Sequence, residues 1–419
     1  MAERNDVGLV SSSLRAGHPD FLDLPWPLPL EAWEGACDRL EALPQGLARH
    51  PVVFVSYEGV VYALKQLPPG VAEREYAQLR QLEELRVPCV TPVGHALVRN
   101  AQGETSVLIT RYLDHALPYH SLFMRTSLTR YRAHLLGAMA LLLVQLHLAG
   151  AFWGDCSLNN TLFRRDAGRL TAYLVDAETA EVHKTISEGM RRHDLDIMEE
   201  TVGGGLLDLA ATGALPAGFP TREIGATIRQ QYEALWDTVT AEQLIPFGES
   251  YRIRERVRRL NELGFSVDQI ELQPARDGEM LRLRALVTDR HFHRNMLHSM
   301  TGLDPEEMQA RAMLNEIQQI KASLSSQLRR SVPLSVAAHR WLNEVYAPVV
   351  ERMRVLVDAG ADPAELYCQV LEHKWYLSER ASHDVGHLAA TSDFLLRARE
   401  RPSLTGTTPL PDDDGGRAG

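Results

Sequence analysis

The feature that most limits the fold is a 20-residue stretch, Leu135 to Gly154 (LLGAMALLLVQLHLAGAFWG), that contains no Asp, Glu, Lys or Arg. A run of this length either crosses a membrane or lies inside a protein core. Its uninterrupted apolar part ends at Val144, and Gln145 and His147 follow within it. The expectation is a buried helix over 135–149 and no transmembrane segment. Such a helix needs apolar partners on every side. With 419 residues, 45% of them apolar and 24% charged, the chain has material for two or three domains with full cores.

Local patterns on either side supply those partners. HPVVFVSY-EG-VVYALKQL reads as a β-hairpin turning at Glu58-Gly59, and Pro68-Pro69-Gly70 stops its second strand. VAEREYAQLRQLEEL then shows helical spacing at Val71, Tyr76, Leu79, Leu82 and Leu85. A strand is expected at 106–113 (SVLITRYL), and TLFRR-DAG-RLTAYLVD reads as a second hairpin with Asp166 and Gly168 in its turn. Residues 1–30 read as a Pro-rich extended segment, with a helix starting near Glu31. From about Glu188 helices dominate. One of them (SYRIRERVRRLNELGF) ends at Gly264, and another has Asp304 as cap, Pro305 at its first position and Glu307 completing a capping box.

Composition narrows the setting. The four cysteines, Cys37, Cys89, Cys156 and Cys368, form no C-x-x-C pair, so free thiols are expected and a zinc knuckle is not. The polar amino terminus lacks the apolar core of a secretory signal, which gives a cytoplasmic expectation. A net charge of −11 argues against a nucleic-acid partner. The run Arg252, Arg254, Arg256, Arg258 and Arg259 reads as a solvated helix face, and His291, His293 and His298 have no recognised metal spacing. Cys156 reads as a packed small residue.

Only four of the 44 basic residues are lysines, and Lys65 is the sole lysine before residue 184. It stands on an apolar strand (Val61-Tyr62-Ala63-Leu64-Lys65), and Glu75 lies on the next helix. Nucleotide phosphates need a cation on a rigid element and a carboxylate to fix its rotamer, which Lys65 and Glu75 supply. Mg²⁺ takes oxygen ligands, a carboxylate or two beside phosphate and water. Asp176, at a strand end, and Asn160 fit. An attacking hydroxyl needs one further carboxylate, and Asp155 has the spacing, five residues before Asn160.

The segment Leu146-His147-x₆-Gly154-Asp155-x₄-Asn160-x-Leu162-Phe163 resembles the catalytic loop of the protein-kinase-like superfamily. LVQLHLAGAFWGDCSLNNTLFRRDAGRLTAYLVDAETAE and LLNEIQ…AAHRWLNEVYAPVVERM further resemble a bacterial family. That family joins a lipopolysaccharide-kinase-like (Kdo/WaaP-like) amino-terminal part to a carboxy-terminal domain of unknown function. The resemblance spans about residues 20–395. It implies an α+β bilobal protein-kinase-like fold followed by a mainly helical domain. The expected parts are an extension (1–30), a small lobe (31–110), a large lobe (111–245), a helical domain (246–401) and a disordered tail (402–419).

The resemblance also implies roles. Lys65 and Glu75 correspond to the nucleotide-binding lysine and its helix glutamate, Asp155 to the catalytic aspartate, and Asn160 and Asp176 to the metal ligands. Asp194 corresponds either to the aspartate that braces the catalytic loop or to a helix cap. Three departures stand out. Trp153-Gly154 replaces His-Arg, which removes the arginine that would receive an activation-loop phosphate. Ala177-Glu178 replaces Phe-Gly, and Glu178 is either an added metal ligand or a solvated residue. No G-x-G-x-x-G precedes Lys65, which leaves Gly46, Gly59, Arg49 and His50 as the nearest phosphate cover. The expected activity is transfer of a phosphoryl group from ATP, with Mg²⁺, to a hydroxyl of a sugar or other small molecule, with protein partners through the carboxy-terminal domain. The alternatives are a nucleotide-binding pseudokinase serving as a scaffold, and nucleotidyl transfer on the same fold.

Overall fold

Alternating burial in the first hundred residues builds one sheet. The computed structural model describes residues 7–43, 50–101, 103–124, 131–213, 215, 221, 223–246, 249, 251–275, 280–287 and 289–400. Strands β1 (Gly8–Leu14), β2 (Val52–Tyr57), β3 (Val60–Leu67), β4 (Pro92–Asn100) and β5 (Gly103–Arg111) pair antiparallel in the order β1-β4-β5-β3-β2. The β2–β3 hairpin turns where expected. Glu58 and Gly59 both have positive φ (51° and 81°), the two-residue turn whose twist matches its strands. The expected helix after Gly70 is α1 (Val71–Glu84).

The amino-terminal segment does more than extend. β1 adds an edge strand beside β4, and Phe21, Leu24, Trp26, Leu30 and Trp33 share one core with Val55, Leu64, Val93 and Ile109. The helix expected at Glu31 is a single 3₁₀ turn, Leu30–Ala32. Aromatic anchoring takes its place: the indole N–H groups of Trp26 and Trp33 donate to the carbonyls of Phe21 (2.7 Å) and Leu28 (3.1 Å).

The chain divides into two compact units. The first comprises residues 1–124, 135–163 and 172–238, and the second 125–134, 164–171 and 239–419. After β6 (Leu117–Pro118) and α2 (Tyr119–Met124) comes α3 (Arg132–Leu148), the helix that carries the charge-free run from Leu135. Leu135, Met139, Leu142, Leu143, Val144 and Leu146 are all buried, and His147 with them, so the core reading holds. Among the described residues no helix is long and apolar enough to cross a membrane. Next come β7 (Ala151–Phe152), β8 (Thr161–Asp166), β9 (Arg169–Leu174) and β10 (Glu181–Val182), with β7 paired to β10 and β6-β8-β9 forming a sheet. The expected second hairpin turns at Ala167-Gly168, with Asp166 still in the strand. Helices α4 (Glu188–Ala211) and α5 (Glu223–Thr240) follow.

The second unit is not all helix. β11 (Gln243–Pro246), β12 (Val267–Ala275) and β13 (Met280–Val287) form an antiparallel sheet in the order β11-β13-β12, and α6 (Tyr251–Glu262) precedes the Gly264 stop. Then come α7 (Phe292–Thr301), α8 (Glu307–Leu328), α9 (Leu334–Trp341), α10 (Ala347–Arg352), α11 (Arg354–Asp358), α12 (Pro363–Ala381) and α13 (His387–Glu400). Their core gathers Leu297, Met313, Ile317, Trp341, Met353 and Tyr367. The capping box of α8 sits two residues later than expected: Glu306 is the cap and Gln309 its reciprocal partner. Asp304 is drawn away by Arg294, which donates twice to its carboxylate at 2.6 Å. The tail at 402–419 lies outside the described residues.

Candidate active site

Lys65 lies inside β3, in register with Val52 on one side and Leu108 on the other, which leaves its backbone no freedom. Helix α1 turns Val71, Ala72, Leu79 and Leu82 inward, and Glu75 lies on that same buried face while Glu73 is exposed. A fully buried glutamate needs a partner. Lys65 Nζ supplies it at 3.1 and 3.2 Å from the two carboxylate oxygens, and reaches Asp176 Oδ2 at 2.6 Å. Backbone bonds bring Asp176 to this place. Leu174 donates to Pro88 O and accepts from Val90 N, both at 3.0 Å, which ties the end of β9 to the segment before β4. Val175 N donates to Asn160 O at 3.0 Å and fixes the loop beside it.

That loop, residues 153–160, is held from beneath. Asp194 accepts the Trp153 N–H and the Gly154 N–H, each at 2.8 Å, and lies 3.2 Å from His147 Nε2. Asp194 is inside α4, whose cap is Ser187, so it is no helix cap. Gly154 has φ +78°, and a Cβ there would stand 3.1 Å from both the Phe152 ring and the Thr179 carbonyl oxygen, so only glycine fits. Asn160 Nδ2 donates to the Asp155 backbone oxygen at 3.3 Å, which sets the two side chains on one rigid turn.

The electrostatics follow from burial. Burial opposes the Lys65 ammonium, but the charges of Glu75 and Asp176 more than offset this and raise its pKa. Burial, with the Asp176 charge adding, pushes the Glu75 carboxyl up to about 7 against the pull of Lys65. Burial lowers His147, which is therefore neutral. With Nε2–H donating to Asp194, its Nδ1 accepts from the Tyr232 hydroxyl at 2.7 Å. Burial also pushes the Cys156 thiol well above its ordinary value, as suits a packed residue and not a nucleophile.

Lys65, Glu75 and Asp176 thus meet directly, and Asp155 and Asn160 share the adjoining loop. Glu178 is exposed and gives only its N–H to Asp176 Oδ1 (3.1 Å). Gly46 and Arg49 lie outside the described residues, while His50 is half-buried at the start of β2. Trp153 is the participant that sequence reading registered only as a departure. Its buried indole donates to the Asp176 backbone carbonyl at 3.0 Å, and its own carbonyl accepts from the Thr179 hydroxyl at 2.8 Å. A bulky donor in place of histidine was the visible signal. Asp176 and Asn160 offer hard oxygen donors, the set Mg²⁺ takes when phosphate and water complete its shell. Among the described residues no group of three or more His, Cys, Asp or Glu side chains is arranged to hold a metal.

A family model, lipopolysaccharide kinase (Kdo/WaaP) family, matches residues 61–215, a span that begins four residues before Lys65 and includes Glu75, Asp155, Asn160, Asp176 and Asp194. The amino-terminal region is similar to the Kdo/WaaP kinases over that span. A second model, domain of unknown function DUF4032, matches residues 234–398. No curated protein matches the chain. A solved structure described as "WaaP in complex with acyl carrier protein" aligns with 16% identity over 60% of this chain and 98% of its own, with a TM-score of 0.35. The chain is therefore a kinase-like region with sheets, followed by a DUF4032 region that is mainly helical.

Proposed function

We propose that the Kdo/WaaP-type region transfers the γ-phosphoryl group of ATP to a hydroxyl of a sugar or other small molecule. The observation that carries this reading is the bracketing of Lys65 Nζ by Glu75 at 3.1 Å and Asp176 at 2.6 Å. Lysine on a strand, locked by a buried glutamate, presents one fixed positive charge where α- and β-phosphate oxygens can replace the Asp176 contact. Asp176 and Asn160 would hold Mg²⁺, whose charge neutralises phosphate oxygens. Asp155, carried on the braced loop, accepts the acceptor's hydroxyl proton as its oxygen bonds to phosphorus and the bond from phosphorus to the ADP oxygen breaks. Catalysis on this plan is positioning and charge stabilisation.

The test uses the full chain with ATP labelled at the γ- or the α-phosphate, Mg²⁺ and a fractionated small-molecule extract. Transfer of the γ-label, abolished in Asp155→Ala, is the expected result. Transfer of the α-label would indicate nucleotidyl transfer. Nucleotide-induced thermal stabilisation with no transfer of either label would indicate a pseudokinase.

A further inference from the structure

The arginine run of α6 is not used by the active site, and in the structure its members separate. Arg256 is buried and donates to the carbonyls of Val239 (3.3 Å) and Ala241 (3.4 Å), so it anchors the helix. Arg252 pairs with Glu249 at 2.5 Å. Arg254 and Arg258 are different. They stand one helical turn apart at the mouth of a cavity of about 460 Å³, between α6, β12 and the start of α7.

The walls of this cavity are apolar: Ile253 and Val257 from α6, Ile270 from β12 and Phe292 from α7. Ile270 is 38% exposed, unusual for an apolar strand residue beside a helix. Like charges at i and i+4 repel unless an anion lies between them. Arg258 has a 3.5 Å contact with Glu262, an exposed carboxylate that also lines the cavity beside His293 and that an anionic head would have to displace, and Arg254 meets no carboxylate among the described residues. Asn261 also lines the cavity, and its buried Oδ1 accepts no hydrogen bond among the described residues. A buried acceptor without a donor is costly, and a ligand hydroxyl or N–H would satisfy it.

We infer that this cavity binds a small anionic amphiphile, an alkyl chain or ring ending in a carboxylate or phosphate, with its apolar body on Val257 and Ile270 and its head between Arg254 and Arg258. The volume falls within the usual range for small-molecule sites, about 300–1,000 Å³. The paired guanidinium groups select the sign of the head, and the apolar floor excludes a nucleic-acid backbone. This site is independent of the phosphotransfer reading.

The experiment titrates the full chain with 1-anilinonaphthalene-8-sulfonate, a fluorescent anionic amphiphile, and then competes with decanoate or decan-1-ol. Saturable one-to-one binding is expected, displaced by decanoate and not by decan-1-ol at equal concentration. An Arg254→Ala, Arg258→Ala double variant should bind roughly tenfold or more weakly, because each removed charge leaves the head unpaired. The corresponding double lysine variant should lose much less, and Ile270→Asp should bind none, all with unchanged circular dichroism. Equal binding by the double alanine variant, or equal displacement by decan-1-ol, overturns the proposal. So does a concentration-dependent dimer abolished by Ile270→Asp, which would give the surface to a second copy, or duplex DNA binding that depends on the same two arginines.

Discussion

Replacing Asp194 by alanine tests the foundation of the active site without assuming any chemistry. A relay of hydrogen bonds ends on this carboxylate. Arg191 Nη1 donates to the Tyr232 hydroxyl (3.3 Å), the hydroxyl donates to His147 Nδ1 (2.7 Å), and His147 Nε2–H donates to Asp194 (3.2 Å). From the other side come the backbone N–H groups of Trp153 and Gly154. His147 can reverse its tautomer when Asp194 is lost, but the two backbone donors cannot move. Each buried unpaired donor costs about 1–3 kcal/mol, and water reaches Gly154 more readily than the wholly buried Trp153, so the loss is about 3 kcal/mol. At about 1.4 kcal/mol per factor of ten, the loop should open roughly 10²-fold more often. Hydrogen exchange followed by mass spectrometry reads this directly in a peptide covering 151–158, with 135–144 in α3 as the reference. Asp194→Asn, which keeps one acceptor oxygen, should fall between the two. Unchanged exchange at 151–158 would refute the brace. Equal acceleration in both peptides would show that Asp194 stabilises the whole unit and not the loop.

Other outcomes follow from the same contacts. Trp153→Phe removes the indole donor to the Asp176 carbonyl, a loss of about 1–1.5 kcal/mol. If the phosphotransfer reading is right, the Mg²⁺ concentration for half-maximal activity should rise about tenfold while metal-free ADP binding is unchanged, and Trp153→His should recover part of the difference. Lys65→Met should abolish nucleotide-induced thermal stabilisation. It should also leave the buried Glu75 without a cation, so that Lys65→Met, Glu75→Gln melts higher than Lys65→Met alone. Fully buried Asp166 accepts from Gln309 N and the Thr171 hydroxyl, and burial with the Glu306 charge pushes it up to about 7 against the pull of Arg290. Because the native state holds this proton more tightly than the unfolded chain, stability should be lost as pH rises from about 4 to about 7 and be flat above. Asp166→Asn should flatten that slope in calorimetry between pH 5 and pH 8, and an unchanged slope would locate the titration elsewhere.

What could be read from the sequence was local. The β2–β3 hairpin and α1 carry a periodic signal, and α3 an unbroken apolar run, each within twenty residues, and the structure forms them within three residues of the expected ends. Elements that depend on distant partners were less legible. β1, GLVSSSL, is mostly polar and half exposed, and it is a strand because β4 offers an unpaired edge. β12 and β13 place Arg282, Arg284, Glu271 and Gln273 on one face and Leu283, Ala285, Ile270 and Leu272 on the other. The charges on the first face masked an alternation that was present throughout. Where a helix was expected near Glu31, the chain is instead anchored by Trp26 and Trp33, whose rings are buried and whose indoles donate to the carbonyls of Phe21 and Leu28.

The site shows the same division, with a consequence for how such sites are built. Lys65, Glu75, Asp155, Asn160 and Asp176 stood out in the sequence because chemistry restricts which residue types can stand at those spacings, and the structure brings Lys65, Glu75 and Asp176 into contact and puts Asp155 and Asn160 on one loop. Trp153 was registered only as a departure, because its work is done through a backbone group, and Asp194 was named with two readings, a loop brace or a helix cap, of which the structure selects the brace. Trp153 holds the Asp176 carbonyl, and Asp194 holds the N–H groups of residues 153 and 154. All three bonds act on peptide units, so none of them imposes a side-chain pattern on its partners. Helix α3, with its charge-free run, belongs to this hidden layer, since it delivers His147 to Asp194 from a position where no other ionisable group could be buried without its own partner. The long run without charge, which ends at the residue before Asp155, is therefore the mark this brace leaves in the sequence.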